Sequence, residues 1–330
     1  MVRPLTFSAE LVPRDPLWKT SLMAVICERT GLDAVWVSDH FFNRNVFITL
    51  AEIAHRTRRV RLGPAVVNPY IHHPVIIAQS IATLYEIAGG RVRLAVGAGD
   101  NTSLGRLGIV REKPVEKVGE CVRLIRALTA GGDAGGVRLD IPLAEPPSIF
   151  VGAQSGRMLE LAAKIADGVL VNWSNLDMLK ESSKRVRGSG RDWRSFTLGA
   201  HLIVSIHDDP AKARKTAIPF ASYLMVGAST AHLERLGISE EYRKEVISCL
   251  TASDWERLYT ISGGEWVDYF SVWGNPGKLE EHVVSLIELG YGEIVFGGPL
   301  GPRPYTALRT ISHIIRRLRR EMEDDRRIGS

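Results

Sequence analysis

Short runs rich in Val, Ile, Leu and Ala alternate along the chain with longer stretches in which apolar residues recur at three- and four-residue spacing. The first pattern predicts strands buried on both faces, the second helices with one packed side. Strands are expected at 5–11, 34–38, 60–67, 91–96, 148–151, 167–171, 197–206 and 292–296. Helices are expected at 16–30, 47–56, 73–88, 115–130, 157–165, 176–187, 210–226, 275–289 and 303–327. Gly31 and Gly89-Gly90 stand where helices must stop, and Asn275-Pro276 where one must start. The alternation breaks between 228 and 272, where short helical pieces around Trp255 and Trp266 replace it.

Strands each followed by a helix, eight in number, predict an α/β chain of the (β/α)8 TIM-barrel class, with an insertion before the last βα unit. Residues 1–330 then form one barrel domain with a helical insertion at about 228–272. An open doubly wound sheet is the alternative, and it moves the binding crevice to one switch point. The third strand carries Gly63-Pro64, which remove a side chain and a ladder donor, so a bulge is expected there.

A barrel gathers the residues that follow its strands at one mouth. Here these are Glu10, Asp39-His40-Phe41-Phe42, Asn68-Pro69-Tyr70, Gly97-Ala98-Gly99-Asp100, Gly152-Ala153-Gln154-Ser155-Gly156, Asn172-Trp173-Ser174 and Gly297-Gly298-Pro299. Carboxylates beside an imidazole can transfer protons near neutral pH, which makes Glu10, Asp39, His40 and Asp100 the candidate catalytic set. The competing reading has Asp39 capping the next helix and His40 packed in its loop. Gly152 to Gly156 precedes a helix and could cradle an anion on backbone N–H groups, although neither a P-loop nor a dinucleotide fingerprint is present.

Composition narrows the partners. The apolar fraction is 45%, no run of about eighteen apolar residues occurs, and the N-terminus lacks a signal-peptide pattern, so a cytoplasmic protein is expected. The formal charge of +5 is concentrated in 303–327, where acidic residues interleave and apolar ones recur at helical spacing. That predicts a solvated helix face and no nucleic-acid partner. Cys27, Cys121 and Cys249 lie far apart, which argues against a zinc site or a disulfide framework, and no metal is expected. Only Gln79 and Gln154 represent glutamine, and Arg outnumbers Lys, as in heat-adapted proteins.

Trp36-Val-Ser-Asp-His40, Leu62-Gly-Pro-Ala-Val-Val-Asn-Pro-Tyr-Ile-His-His-Pro74, Ile81-Ala-Thr-Leu84 with Gly89-Gly-Arg91, Gly97-Ala-Gly-Asp100, Gly152-Ala-Gln154, Ala166-Asp-Gly-Val-Leu-Val-Asn172 and Gly298-Pro-Leu-Gly-Pro302 occur in that order over almost the whole chain. Together they resemble the coenzyme F420-dependent methylenetetrahydromethanopterin reductases, a branch of the luciferase-like superfamily. The resemblance implies a deazaflavin, coenzyme F420, lying in the mouth, with FMN as the alternative. It implies hydride transfer to a small-molecule substrate, most readily a methylene-bridged tetrahydropterin. It further implies a non-prolyl cis peptide at Ala65-Val66, a tail phosphate near Gly152, and a homodimer or homotetramer.

By the same resemblance, Asp39 and His40 flank the deazaflavin, while Ala65, Val66, Asn68, Gly97, Ala98, Gly99, Gly152, Ala153, Gln154, Ser155 and Asn172 line its site. Glu10 then faces the substrate, where poor solvation is expected to raise its pKa and leave a proton to donate. Three departures stand out: Ala65 replaces the usual Gly, Ser155-Gly156 replaces Gly-Pro, and the segment 105–116 is short. Relatives on this barrel use FMN in monooxygenases, or F420 in dehydrogenases of alcohols and sugar phosphates, and a non-catalytic binding barrel is a further alternative.

Overall fold

Eight parallel strands form a ring, and a backbone seam between the third and fourth closes it. The computed structural model describes residues 5–141, 143–192 and 195–328. In chain order the elements are β1 (Thr6–Leu11), α1 (Leu17–Arg29), β2 (Ala34–Val37), α2 (Val46–Arg56), β3 (Arg61–Pro64), α3 (Pro74–Ala88), β4 (Arg93–Val96), α4 (Asn101–Arg106) and α5 (Pro114–Thr129). They continue with β5 (Ser148–Ala153), α6 (Gly156–Ile165), β6 (Gly168–Val171), α7 (Leu176–Arg187), β7 (Thr197–Ile206) and α8 (Pro210–Gly227). The insertion contributes α9 (Thr230–Arg235), α10 (Glu240–Ala252), α11 (Trp255–Ile261) and α12 (Trp266–Phe270). Then come β8 (Val272–Gly274), α13 (Pro276–Glu288), β9 (Glu293–Leu300) and α14 (Pro304–Ile328).

The sheet order is β3-β2-β1-β9-β7-β6-β5-β4. Leu62 donates its N–H to the Arg91 carbonyl, Val67 to Ala95, and Gly97 to Val67, which joins β3 to β4 and completes the barrel. The strands are close here: a Cβ on Gly63 would stand 2.0 Å from the Arg93 carbonyl oxygen, so no side chain fits. The alternative of an open sheet is thereby set aside, and the expected barrel with its insertion is present.

Outside the insertion, two elements escaped the sequence pattern. α4 is only six residues long, and β8 only three. Neither length carries a periodicity that could announce it. β8 pairs with the far end of β7, Val204 opposite Val272, because β7 runs ten residues and outlasts its other neighbours.

Trp36, Ala65, Ala95, Phe150, Leu170 and Val295 fill the barrel's inside as a cluster separate from the larger core between strands and helices. Beneath them lies a buried ion pair. Arg93 donates through both terminal guanidinium nitrogens to the carboxylate of Glu293, and Ser8 Oγ (2.7 Å) and Trp36 Nε1 (2.9 Å) donate to the same carboxylate. The guanidinium carbon lies 4.5 Å from the ring centroids of both Trp36 and Phe150. Burial raises the Glu293 pKa, but Arg93 and these donors outweigh it, and the group ends below the ordinary carboxylate value. This plug closes the barrel opposite the mouth.

The long basic helix α14 behaves as its apolar spacing predicts. Leu308, Ile311, Ile315 and Leu318 are buried, while Arg319 makes a two-pronged bond to Asp33 (2.8 and 2.7 Å) and Arg317 pairs with Glu280. Cys27, Cys121 and Cys249 are free and buried, and burial pushes the first two thiols up to about 12. Among the described residues, no helix is long and apolar enough to cross a membrane.

Candidate active site

Strand parity decides which side chains enter the mouth. A Cβ on Gly199 of β7 would touch the inward-facing side chains of Leu170 and Glu293, so His201, two residues on, also points inward. Glu10 enters from β1 by the same rule. Its Oε2 lies 3.2 Å from His201 Nε2, within ion-pairing distance, although the two are not aligned as a hydrogen bond. Both side chains are 12% exposed.

The Glu10 carboxyl does not have the raised pKa expected of a poorly solvated acid. Burial pushes it up, but His201, then His40 and the Gly298 N–H, pull it further down, so the net shift is below the ordinary value. Desolvation acts in the expected direction, and what outweighs it first is His201, brought alongside from β7. One signal was available: a lone imidazole in an otherwise apolar strand.

Asp39 and His40 part company. Asp39 Oδ2 meets His72 Nε2 at 2.8 Å, which ties the loop after β2 to the loop after β3. The helix-cap alternative for Asp39 fails, because Asn45 Oδ1 caps α2 by accepting from Phe47 N (3.0 Å) and Ile48 N (3.1 Å). His40 stacks on Phe42 with ring centroids 5.3 Å apart, and its charge acts on Glu10. Asp39, His40, Phe41, Asn43, Ile71 and His72 line a cavity of about 240 Å³ at this rim. Asp100, by contrast, caps α4: its Oδ1 accepts from Ser103 N at 2.7 Å.

The floor of the mouth is built from absences. The peptide between Ala65 and Val66 is cis, at the place the resemblance implies. From there the Val66 side chain reaches over Gly97 and Gly152, whose missing Cβ atoms would otherwise stand 2.6 and 2.7 Å from its methyl groups. Asn68 is buried, and its Oδ1 accepts from Tyr70 N and Ile71 N, which folds the loop after β3. Gly99, at φ 67°, packs on the Asn68 amide, and Arg111 donates to its carbonyl at 2.8 Å. Ala98 flanks this turn half-buried.

On the other side, Gln154 Nε2 donates to the Asn172 carbonyl (3.0 Å), and Ala153 ends β5 between them and the core. The Asn172 side-chain oxygen is buried with no hydrogen-bond partner among the described residues. Ser155 caps α6 through Met158 N at 3.4 Å, so that helix opens its N-terminus beside the mouth. The Arg185 guanidinium lies against Gly156, where a Cβ would come within 2.6 Å of it. Arg185 was not foreseen, since its approach depends on how α7 packs on α6.

Residues 8–293 match the family model described as luciferase-like monooxygenase. The chain belongs to the luciferase-like family. Within that family it is 33% identical over 324 residues to the 5,10-methylenetetrahydromethanopterin reductase of Archaeoglobus fulgidus, covering 93% of this chain and 97% of that one. The enzyme of the same name from Methanolobus tindarius is likewise 33% identical, with 93% and 98% covered. Among solved structures, the coenzyme F420-dependent tetrahydromethanopterin reductase of Methanopyrus kandleri superposes with a TM-score of 0.82 at 25% identity, covering 94% of this luciferase-like chain and 97% of that one.

Proposed function

We propose that this chain is an F420-dependent oxidoreductase that moves a hydride between reduced coenzyme F420 and the methylene bridge of 5,10-methylenetetrahydromethanopterin or a related tetrahydropterin. The observation that carries the reading is the near full-length similarity to two reductases of that name, joined to a mouth whose floor suits a flat heterocycle. A ring can lie on Val66 because Gly97 and Gly152 raise nothing beside it. The unpartnered Asn172 oxygen calls for an N–H donor, which the pyrimidine edge of a deazaflavin has. The α6 N-terminus offers positive charge to a phosphate, and beside it lies the Arg185 guanidinium, which also pairs with Glu160 at 3.1 Å.

When bound, the deazaflavin supplies the hydride; the chain supplies position, electrostatics and a proton site. Asp39, held by His72, and His40 sit where they can flank the ring, and Glu10 faces the space left for the second substrate. Asp100 enters this scheme only through α4, which it caps. Trp18, Ile48 and Ile76 are 56%, 65% and 50% exposed near the starts of three neighbouring outer helices, and this supports a homodimer or homotetramer. We place the enzyme in the cytoplasm, with small molecules and no nucleic acid as partners.

The test is retention of chromophore. Purified protein is incubated with F420 or with FMN, desalted, and its visible absorbance recorded, followed by turnover with the methylene-bridged pterin. F420 is expected to stay bound in the micromolar range or tighter and FMN to be lost. Retention of FMN alone would instead indicate a flavin monooxygenase.

A further inference from the structure

Glu10 and His201 come from β1 and β7, strands that do not pair with each other, because β9 runs between them. What brings the two side chains together is Gly297 on β9. A Cβ there would stand 3.0 Å from Glu10 Oε2 and 3.2 Å from His201 Nε2, and 2.4 Å from the Leu202 carbonyl oxygen. The missing side chain leaves one space that both polar groups share. His201 Nε2 has no aligned hydrogen bond among the described residues, and the nearest charge to it is the Glu10 carboxylate at 3.2 Å.

We propose that His201 is the positioning residue for Glu10: its imidazole holds the carboxylate at the rim and sets how readily that carboxylate takes up a proton. The claim rests on the proposed function only in giving Glu10 work during turnover. The contact itself belongs to the coenzyme-free protein.

Two ionisable groups this close titrate as a pair. With His201 protonated, Glu10 is held as an anion, and one proton gained from a donor takes the pair from net zero to +1. Returning that proton restores the carboxylate, so the cycle balances without any further reactant. The groups facing Glu10 are His201 from β7, His40 from the loop after β2, and the N–H of Gly298 from β9. Removing His201 leaves burial opposed only by the last two. The Glu10 midpoint must then rise, whereas a histidine that merely fills space would leave it in place when glutamine takes its volume.

The experiment is a carboxyl-carbon NMR titration of the coenzyme-free protein, with Glu10→Gln identifying the Glu10 resonance. In His201→Gln the Glu10 midpoint is expected to rise by about one pH unit or more, the size of effect an adjacent opposite charge produces. His201→Asn, a smaller uncharged replacement, is the second variant and decides the matter if His201→Gln does not fold: the Glu10 midpoint should rise there as well. With coenzyme and substrate present, the pH profile of kcat should shift with the Glu10 midpoint while KM stays close to that of the parent. Unchanged midpoints in both variants overturn the proposal. Shifted midpoints in a protein that retains no F420 uphold the pair and overturn the reading of function.

Discussion

Val66 stands where a side chain on Gly152 would have to be: its Cγ1 lies 2.7 Å from the position of a Cβ there. The same valine excludes a Cβ on Gly97. One residue just past β3 therefore fixes two glycines, Gly97 just past β4 and Gly152 on β5, and the three form a single surface. Gly152→Ala should cost about 1–3 kcal/mol of stability, as overpacking does, and should tilt Val66 and weaken coenzyme binding at least tenfold. Val66→Ala in that background removes the collision and should restore part of the stability. Thermal unfolding and a coenzyme titration check both; an additive double mutant would mean that Val66 and Gly152 are not coupled.

Ser155 caps α6 with its own oxygen. Asp caps helices equally well, so Ser155→Asp should leave the fold intact while setting a negative charge where the coenzyme phosphate is expected. Affinity should drop at least tenfold, about 1.4 kcal/mol. Arg185→Ala, which removes the cation beside Gly156, should weaken binding in the same direction. Coenzyme affinity equal to the parent's in a folded Ser155→Asp protein would send the phosphate elsewhere.

The barrel was legible because its strands are apolar on both faces and its helices are not, a contrast that survives without any homologue. The cis peptide at Ala65-Val66 and the mouth residues were reached through motif resemblance. What stayed hidden is what depends on three-dimensional approach. Asp39 finds His72, thirty-three residues on, rather than its neighbour His40. Glu10 meets His201 only because the ring closes through β9. Asp100 read as an acid at the rim, yet a carboxylate three residues ahead of a free N–H is also a helix cap, and the short α4 gave no warning.

The plug beneath the mouth gives a stability test. Glu293 is buried, bonded by Arg93, Ser8 and Trp36, and its pKa lies below the ordinary value. Glu293→Ala leaves the Arg93 charge buried and unpaired, so a loss of about 3–5 kcal/mol is expected by chemical denaturation. The pH dependence has a definite sign. A depressed carboxyl contributes fully above its unfolded pKa of about 4.3 and loses that contribution as pH falls through the folded value. The parent should therefore lose stability in acid more steeply than Glu293→Gln, in which no group titrates at this position.

Glu10 is the last test, and its lowered pKa changes what is expected of it. A carboxyl that is ionised near neutral pH cannot hold a stored proton, so in the reducing direction the proton must be loaded before transfer. The protonated fraction falls tenfold for each pH unit above the pKa, and kcat limited by that proton should fall with rising pH across the neutral range. In the oxidising direction the same carboxylate is already the base, and the rate should be level there. Glu10→Gln keeps the shape but has no transferable proton, so the reducing rate should drop by roughly 10²-fold and lose its pH dependence. Stopped-flow single-turnover measurements in both directions separate these cases from slow product release. A Glu10→Gln rate equal to the parent's at every pH would leave Glu10 only as the counter-charge of His201 and His40.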